Sequence, residues 1–326
     1  MMLGCLITFL ISSSGPLDPE ESLSLIAGDL KIERGFRALT KKAPVEKELL
    51  TDIWANEMWA FKNGGICRRT EDKYRSLKTW TEQYRYIELN PLEDVVRERS
   101  PITLEKRIQT LSPTEKYDLI MGNLDAPLTR FFWQYQKQLH EKNELSSWRG
   151  VCEGSASASA FWRGREPIRS LKIPSRILGL NVPLSALDIK ALGAIAFSQF
   201  QIEIPIIGSN AAINLNPATV FLAILNFGAI HGIPMIIDKE PKLPVWNVPI
   251  QAYRYRILKT VDRKRDPFNS VRHPEATEIR EMEMNLTYAD VNRDGIRDEG
   301  KVPAPIQTLK LKFDLELNCE HPDYPD

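Results

Sequence analysis

An α+β fold is predicted for this chain, and three observations carry the prediction. Between about Ala43 and Glu144 apolar residues recur at helical spacing, and at Cys152 a run of small residues opens a further helix. Beyond Gly232 the pattern turns to short apolar and alternating strands, ending with MEMNLTY and IQTLKLKFDLEL. With 326 residues, 43% hydrophobic and 26% charged, the chain can bury one large core or two modest ones.

The first stretch, MMLGCLITFLISSSG, is an apolar run followed by small polar residues. Over residues 1–14 it reads as the remnant of a secretory leader. It lacks a basic start and is too short to span a bilayer, so an exported protein without a membrane span is expected. Residues 15–110 read as a helical N-terminal region, in which VEKELLTDIWANEMWAF carries Leu49, Ile53, Trp54, Met58 and Phe61 at helix-like spacing. A core is expected from 111 to 260. Its first helix, SPTEKYDLI, has Ser112 as N-cap, Pro113 at N1 and Glu115 at N3, the pattern of a capping box. TRFFWQYQKQLHEKNE is a second helix, whose aromatic stripe reads as core. PLSALDIKALGAIAF opens a helix at Ser185. NPATVFLAILNFGAIHG, with Asn216 as N-cap and Pro217 at N1, is apolar all round and so a buried helix. GIPMIID and VWNVPIQAYRYRI read as strands. Residues 261–326 form a polar linker and then a small antiparallel β segment.

Charge excludes some partners. Lys+Arg and Asp+Glu are both 43, so no net field draws in nucleic acid or an anionic membrane. No basic and aromatic cluster marks a nucleic-acid surface. Cys5, Cys67, Cys152 and Cys319 are far apart and form no CxxC, which argues against a zinc ribbon. A Cys67–Cys319 disulfide is open to an oxidising compartment.

The chemistry-bearing segment is WRGVCEGSASASA, Trp148 to Ala160, with Cys152 between Gly150 and Gly154. A thiol at a helix N-terminus meets unpaired N–H groups and the positive end of the dipole, which favours its thiolate. Flanking glycines let a substrate carbonyl approach the backbone. Acyl-transfer enzymes present a cysteine nucleophile in this way, although the same residues also fit a buried structural cysteine on a packing helix. His231, Asp238 and Asn247 follow downstream, in the papain-like order of nucleophile, base and orienting group.

LSPTEKYDLIMG, PLTRFFW, WRGVCEGSASASA, the Glu166-Pro167 pair, DIKAL, NPATVFLAILN and MIIDKEPKLPVWNVPIQAY occur in an order that resembles the transglutaminase-elicitor family. That family comprises secreted oomycete elicitor transglutaminases and bacterial relatives, and the resemblance spans about Leu111 to Tyr255. It implies a papain-like α+β core and protein-glutamine gamma-glutamyltransferase activity. A cysteine attacks a glutamine carboxamide, ammonia leaves, and the acyl group passes to a lysine or other primary amine, or to water. By position Cys152 matches the nucleophile, Asp238 the strand aspartate and Asn247 the asparagine of the WN-P motif. The partner implied is a protein substrate, and no cofactor is expected for catalysis.

Two motif positions depart from the family. Glu153 and Ser155 stand where W-x-G-x-C-H-G-W has His and Trp, and Val220 and Phe221 where N-P-x-x-F-H has Phe and its basic His. A phenyl ring accepts no proton, which leaves His231, ten residues on, as the candidate base. A cysteine peptidase or amidase of the same layout, and an inactive homologue that only binds, stay open beside the transferase. In a working site the Cys152 N–H donates to the oxyanion, a contact worth roughly 3 kcal/mol. Gln134, Gln136 and Gln138 are candidates for a second donor, and Trp148 and Trp246 for the walls of an acyl tunnel.

A second signal is independent. DVNRDGIRDEG sets Asp290, Asn292, Asp294 and Asp298 at positions 1, 3, 5 and 9 of a calcium loop, with Gly295 at the turn and the Ile296 carbonyl at position 7. Position 12 is Lys301, so the loop resembles the short DxNxDGxxD loops of extracellular β domains, and a structural Ca2+ is the ion it would take.

Overall fold

A computed structural model of the chain describes residues 7–10, 30–51, 53–54, 59–162, 165–177, 179–199, 206–207, 217–239, 246–268, 270, 274–290 and 305–317. Helix and sheet are both extensive, as the sequence patterns predict.

The central sheet runs in the order β5(Ile206–Ile207), β1(Ile7–Leu10), β6(Met235–Asp238), β7(Asn247–Asp262), β8(Glu278–Ala289), β9(Ile306–Leu317). β1 is parallel to β5 and β6, and the rest of this path is antiparallel. β2(Glu46–Glu48) adds to β7 beyond the stretch that pairs with β6. β3(Leu171–Pro174) and β4(Asn181–Leu184) form a separate hairpin. The expected β8–β9 pairing is present and runs in unbroken register from Glu278↔Leu317 to Ala289↔Ile306.

Two segments differ from expectation. Within the stretch read as a leader remnant, Ile7–Leu10 is β1, with Thr8 opposite Ile236 and Ile206. A short apolar run with β-branched residues fits a strand in the middle of a sheet as well as the apolar part of a leader. In VEKELLTDIWANEMWAF, Glu46–Glu48 is a strand and Phe61–Asn63 a 3-10 turn; Ala55 to Met58 lie outside the described residues. The free edge of β7 decides this. Glu46 pairs with Arg254, and the N–H groups of Leu49 and Leu50 both donate to the Gln251 carbonyl at 2.7 and 3.0 Å. Ladder bonds to an open edge override a local helical preference.

The helices predicted after Ser112 and Ser185 are found where those residues cap them. Pro113–Met121 begins with the Ser112/Glu115 capping box, and the Glu115 carboxylate also holds buried Arg69. Pro127–Glu141 buries Phe132, Trp133, Gln136 and Leu139. Ala186–Gln199 begins at a reciprocal Ser185–Asp188 pair. Pro217–Ala223 is α-helical and then widens into a π-helix, Ile224–Ile230. Buried Asn226 in the widened turn binds the Glu33 backbone at both its N–H and its carbonyl. Asn216 lies outside the described residues.

Both faces of the sheet are covered at its β6–β7 corner. Met235, Ile237, Val248 and Ile250 pack with Phe221, Ile224 and Phe227 of the Pro217 segment. Ile236, pointing the other way, packs on Ala156 and Phe161 of the Cys152–Phe161 helix. Asn247 to Ile250 are therefore buried as an unbroken run. Past the bulge near Gln251 only alternate residues, Tyr253 and Tyr255, stay buried. Among the described residues no helix is long and apolar enough to cross a membrane.

Candidate active site

Cys152 is the first residue of its helix and is 7% exposed. Val151 precedes it in a non-helical conformation and gives no side-chain cap, so the first-turn N–H groups face the sulfur's surroundings. Gly154 has a packing reason. A Cβ there would stand 1.9 Å from the Ala194 carbonyl oxygen, so the glycine allows the Ala186 helix to cross close by. It was expected to admit substrate; its observed neighbour is a helix.

The sheet supplies the second wall. Side chains alternate along β6, so Asp238 shares the face of Ile236, the face turned to the Cys152 helix. Asn247 is directly opposite Asp238 in the antiparallel register and shares that face. Both are buried. The backbone and side-chain amides of Asn247 and the Glu153 N–H donate toward the Cys152 sulfur and favour its thiolate. The Asp238 Oδ1 accepts the Trp246 N–H at 2.8 Å and so fixes the turn into Asn247.

Burial outweighs these donors and pushes the Cys152 thiol above its ordinary 9.0, with the Glu153 charge adding to the rise. This corrects the expectation that the helix tip alone makes a thiolate. A helix terminus contributes about 0.3–1 kcal/mol, whereas desolvation moves a buried group by up to 3–5 pKa units. Glu153 is exposed at its surface, yet desolvation raises its carboxyl too.

His231 caps the π-helix four residues before β6, while Asp238 ends that strand and Asn247 opens β7 opposite it. The His231 Nε2 is 3.0 Å from the Lys31 carbonyl oxygen, a contact that ties the ring to the segment before Phe36. Phe221 is fully buried between Phe36, Tyr255 and Phe313, across the sheet from Cys152. A histidine at 221 would therefore face the wrong side of the sheet to serve this sulfur. Of the other histidines, His140 packs on Trp80 at 4.7 Å, and His273 and His321 lie outside the described residues.

Gln136 is turned to other partners, accepting from Trp80 Nε1 and donating to the Gly64 carbonyl, and Gln134 and Gln138 are exposed. Trp246 adjoins the site through its N–H to Asp238, and Trp148 carries Arg149 over its ring at 5.5 Å. Cys67 is a free, fully buried thiol that accepts from Thr114 Oγ1, and Cys319 lies outside the described residues. Of the calcium loop, Asn292, Asp294, Ile296 and Asp298 lie outside the described residues. The Asp290 carboxylate meets Lys239 Nζ at 2.5 Å. Among the described residues no group of three or more His, Cys, Asp or Glu is placed to hold a metal.

The crystal structure of the GP42 transglutaminase from Phytophthora sojae is similar to the chain with a TM-score of 0.55 at 14% identity. The match covers 94% of this chain and 84% of that one. The chain shares the overall fold of that structure. No protein-family model and no curated protein matches the sequence. Asn247 acts on the Cys152 sulfur, Asp238 stands opposite Asn247 in the ladder, and the His231 ring lies at the Lys31 carbonyl. The motif reading marks Glu153 as a departure but not its effect, which is a charge acting on the sulfur. Its signal was the acidic residue standing where the family motif has His.

Proposed function

We propose that the protein is a transglutaminase-like acyltransferase, a protein-glutamine gamma-glutamyltransferase, with Cys152 as nucleophile and Asn247 and Asp238 as its positioning residues. The observation that carries the reading is the sulfur at a helix tip with the Asn247 amides donating toward it, in a chain of transglutaminase fold. The thiol loses its proton, and the sulfur bonds to the glutamine carboxamide carbon. The C–N bond breaks and nitrogen leaves as ammonia, taking up a proton. A lysine or other primary amine then attacks the thioester and returns the thiol. First-turn N–H groups of the Cys152 helix are the donors for the oxyanion. With burial raising the thiol, solvent base takes its proton, and transfer is slow at neutral pH. The motif resemblance supports export of the protein, and a structural Ca2+ at Asp290, Asn292, Asp294, Ile296 and Asp298 belongs to the same proposal.

A second reading, an inactive homologue that binds without turnover, is favoured by the raised thiol and by the engagement of His231 elsewhere. Incorporation of a labelled primary amine into a glutamine donor separates the readings. Transfer by the wild type that is lost in Cys152→Ser supports the transferase, and persists in His231→Gln if solvent takes the proton. Ammonia or peptide release without transfer points to an amidase or peptidase of the same layout. Neither activity, across pH 7 to 10, overturns catalysis and leaves the binding protein.

A further inference from the structure

A cavity of about 500 Å3 lies between the Trp59–Arg75 segment, the Pro113 helix and the start of the Ala186 helix. Its size is in the range of small-molecule sites. Four cations line it, Arg68, Arg69, Arg75 and Lys116, against one carboxylate, Asp188.

The commitments of these groups decide what is left over. Asp188 Oδ2 accepts from Lys116 Nζ at 2.7 Å and from the Ser185 N–H and hydroxyl at 2.7 and 2.9 Å, so its charge is taken up within the protein. Arg69 is bound through Nε and Nη2 to the Glu115 carboxylate, with Glu71 at 3.5 Å from Nη1. Arg68 and Arg75 form no ion pair among the described residues. The cavity therefore presents two uncommitted guanidiniums, and planar forks of this kind match carboxylate and phosphate.

The rest of the lining is partly apolar, from Trp59, Pro113, Pro183 and Leu187. Trp59 holds a left-handed backbone, φ 44°, and its carbonyl lies against Gly65, itself at φ 57°. For a non-glycine residue such as Trp59 this conformation is costly, and such residues cluster at ligand clamps.

We propose that this cavity binds a small organic anion, its carboxylate or phosphate on Arg68 and Arg75 and its apolar body against Trp59 and Leu187. The site is separate from the Cys152 cluster. The Ala186 helix lines the cavity at Asp188 and crosses Gly154 at Ala194, six residues or roughly 9 Å further along its axis. An occupant bears directly on the helix that backs the nucleophile.

The test is calorimetric titration of the full chain with phenyl phosphate and, separately, with benzoate. Saturable binding of one probe per chain, weakened at least tenfold in Arg68→Gln/Arg75→Gln and unchanged in Arg130→Gln, supports the site. Binding of phenyl phosphate alone identifies a phosphate ligand, of benzoate alone a carboxylate, and of both a site that reads the oxyanion charge. Should the double variant melt early, Arg75→Gln, at an exposed position, must weaken binding at least threefold. Absence of binding by either probe, or equal binding by the arginine variants, overturns the proposal. Cys152→Ser must bind as the wild type does, so failure of the catalytic reading leaves this one standing.

Discussion

Asp238 and Asn247 stand directly opposite one another across β6 and β7, on the face that meets the Cys152 helix. Asp238 takes the Trp246 N–H at 2.8 Å, and Asn247 turns both its amides toward the sulfur. The carboxylate orders the turn, and the amides favour the thiolate of the nucleophile. Removing the Asn247 side chain leaves the backbone donor in place. Asn247→Ala should slow alkylation of Cys152 at pH 8 by about two- to tenfold, the worth of one hydrogen bond at roughly 0.5–1.5 kcal/mol. Peptide mapping by mass spectrometry reads the rate at that cysteine, and an unchanged rate would show that the side chain plays no part.

The pH dependence follows from burial. The reactive form is the thiolate, and the Cys152 thiol sits above its ordinary 9.0, so the thiolate fraction grows as pH rises. Iodoacetamide labelling of Cys152 should increase about tenfold per pH unit from 7 to 9, without a plateau. A plateau below pH 8 would mean an imidazolium partner and would restore a histidine base. The same shift has a sign for stability. An acid whose folded pKa is raised contributes fully below its unfolded pKa, and that contribution is lost as pH climbs through the folded value.

Glu153 acts against the nucleophile. Its charge is among the causes that raise the Cys152 thiol. Glu153→Gln should speed Cys152 alkylation at pH 8 about threefold in low salt, with the gain shrinking at 0.5 M NaCl as screening removes what the charge contributed. A slower reaction in the glutamine variant would instead make the carboxylate a proton acceptor.

Gly154 is a packing residue. Its missing Cβ would fall 1.9 Å from the Ala194 carbonyl, a backbone atom that cannot swing away. Gly154→Ala should cost about 1–3 kcal/mol or more, as overpacking does, and lower the melting temperature without touching the thiol chemistry directly. Equal melting temperatures would show that the two helices part easily.

Much of the local structure was readable in advance because its causes are local. Ser112 with Glu115, and Ser185 with Asp188, cap helices through atoms three residues apart, so the spacing alone announces them. The β8–β9 pair follows from simple alternation. Glu46–Glu48 was read as helix because its strand exists only through the β7 edge, which lies two hundred residues away in sequence. Chain order makes His231 a candidate base but says nothing about where its ring packs, which is at the Lys31 carbonyl. The cavity between Arg68 and Asp188 left no trace, since its lining is drawn from segments with no shared motif.

By itself the sequence determined the mixed fold, the helix caps, the closing hairpin and the position of Cys152 at a helix start. Tertiary structure alone decided that Phe221 and Cys152 lie on opposite faces of one sheet, and that the thiol is desolvated. The physical reason is that caps and alternation act over a few residues along the chain. The reactivity of a sulfur depends instead on water excluded and amides supplied by strands and helices far from it in sequence.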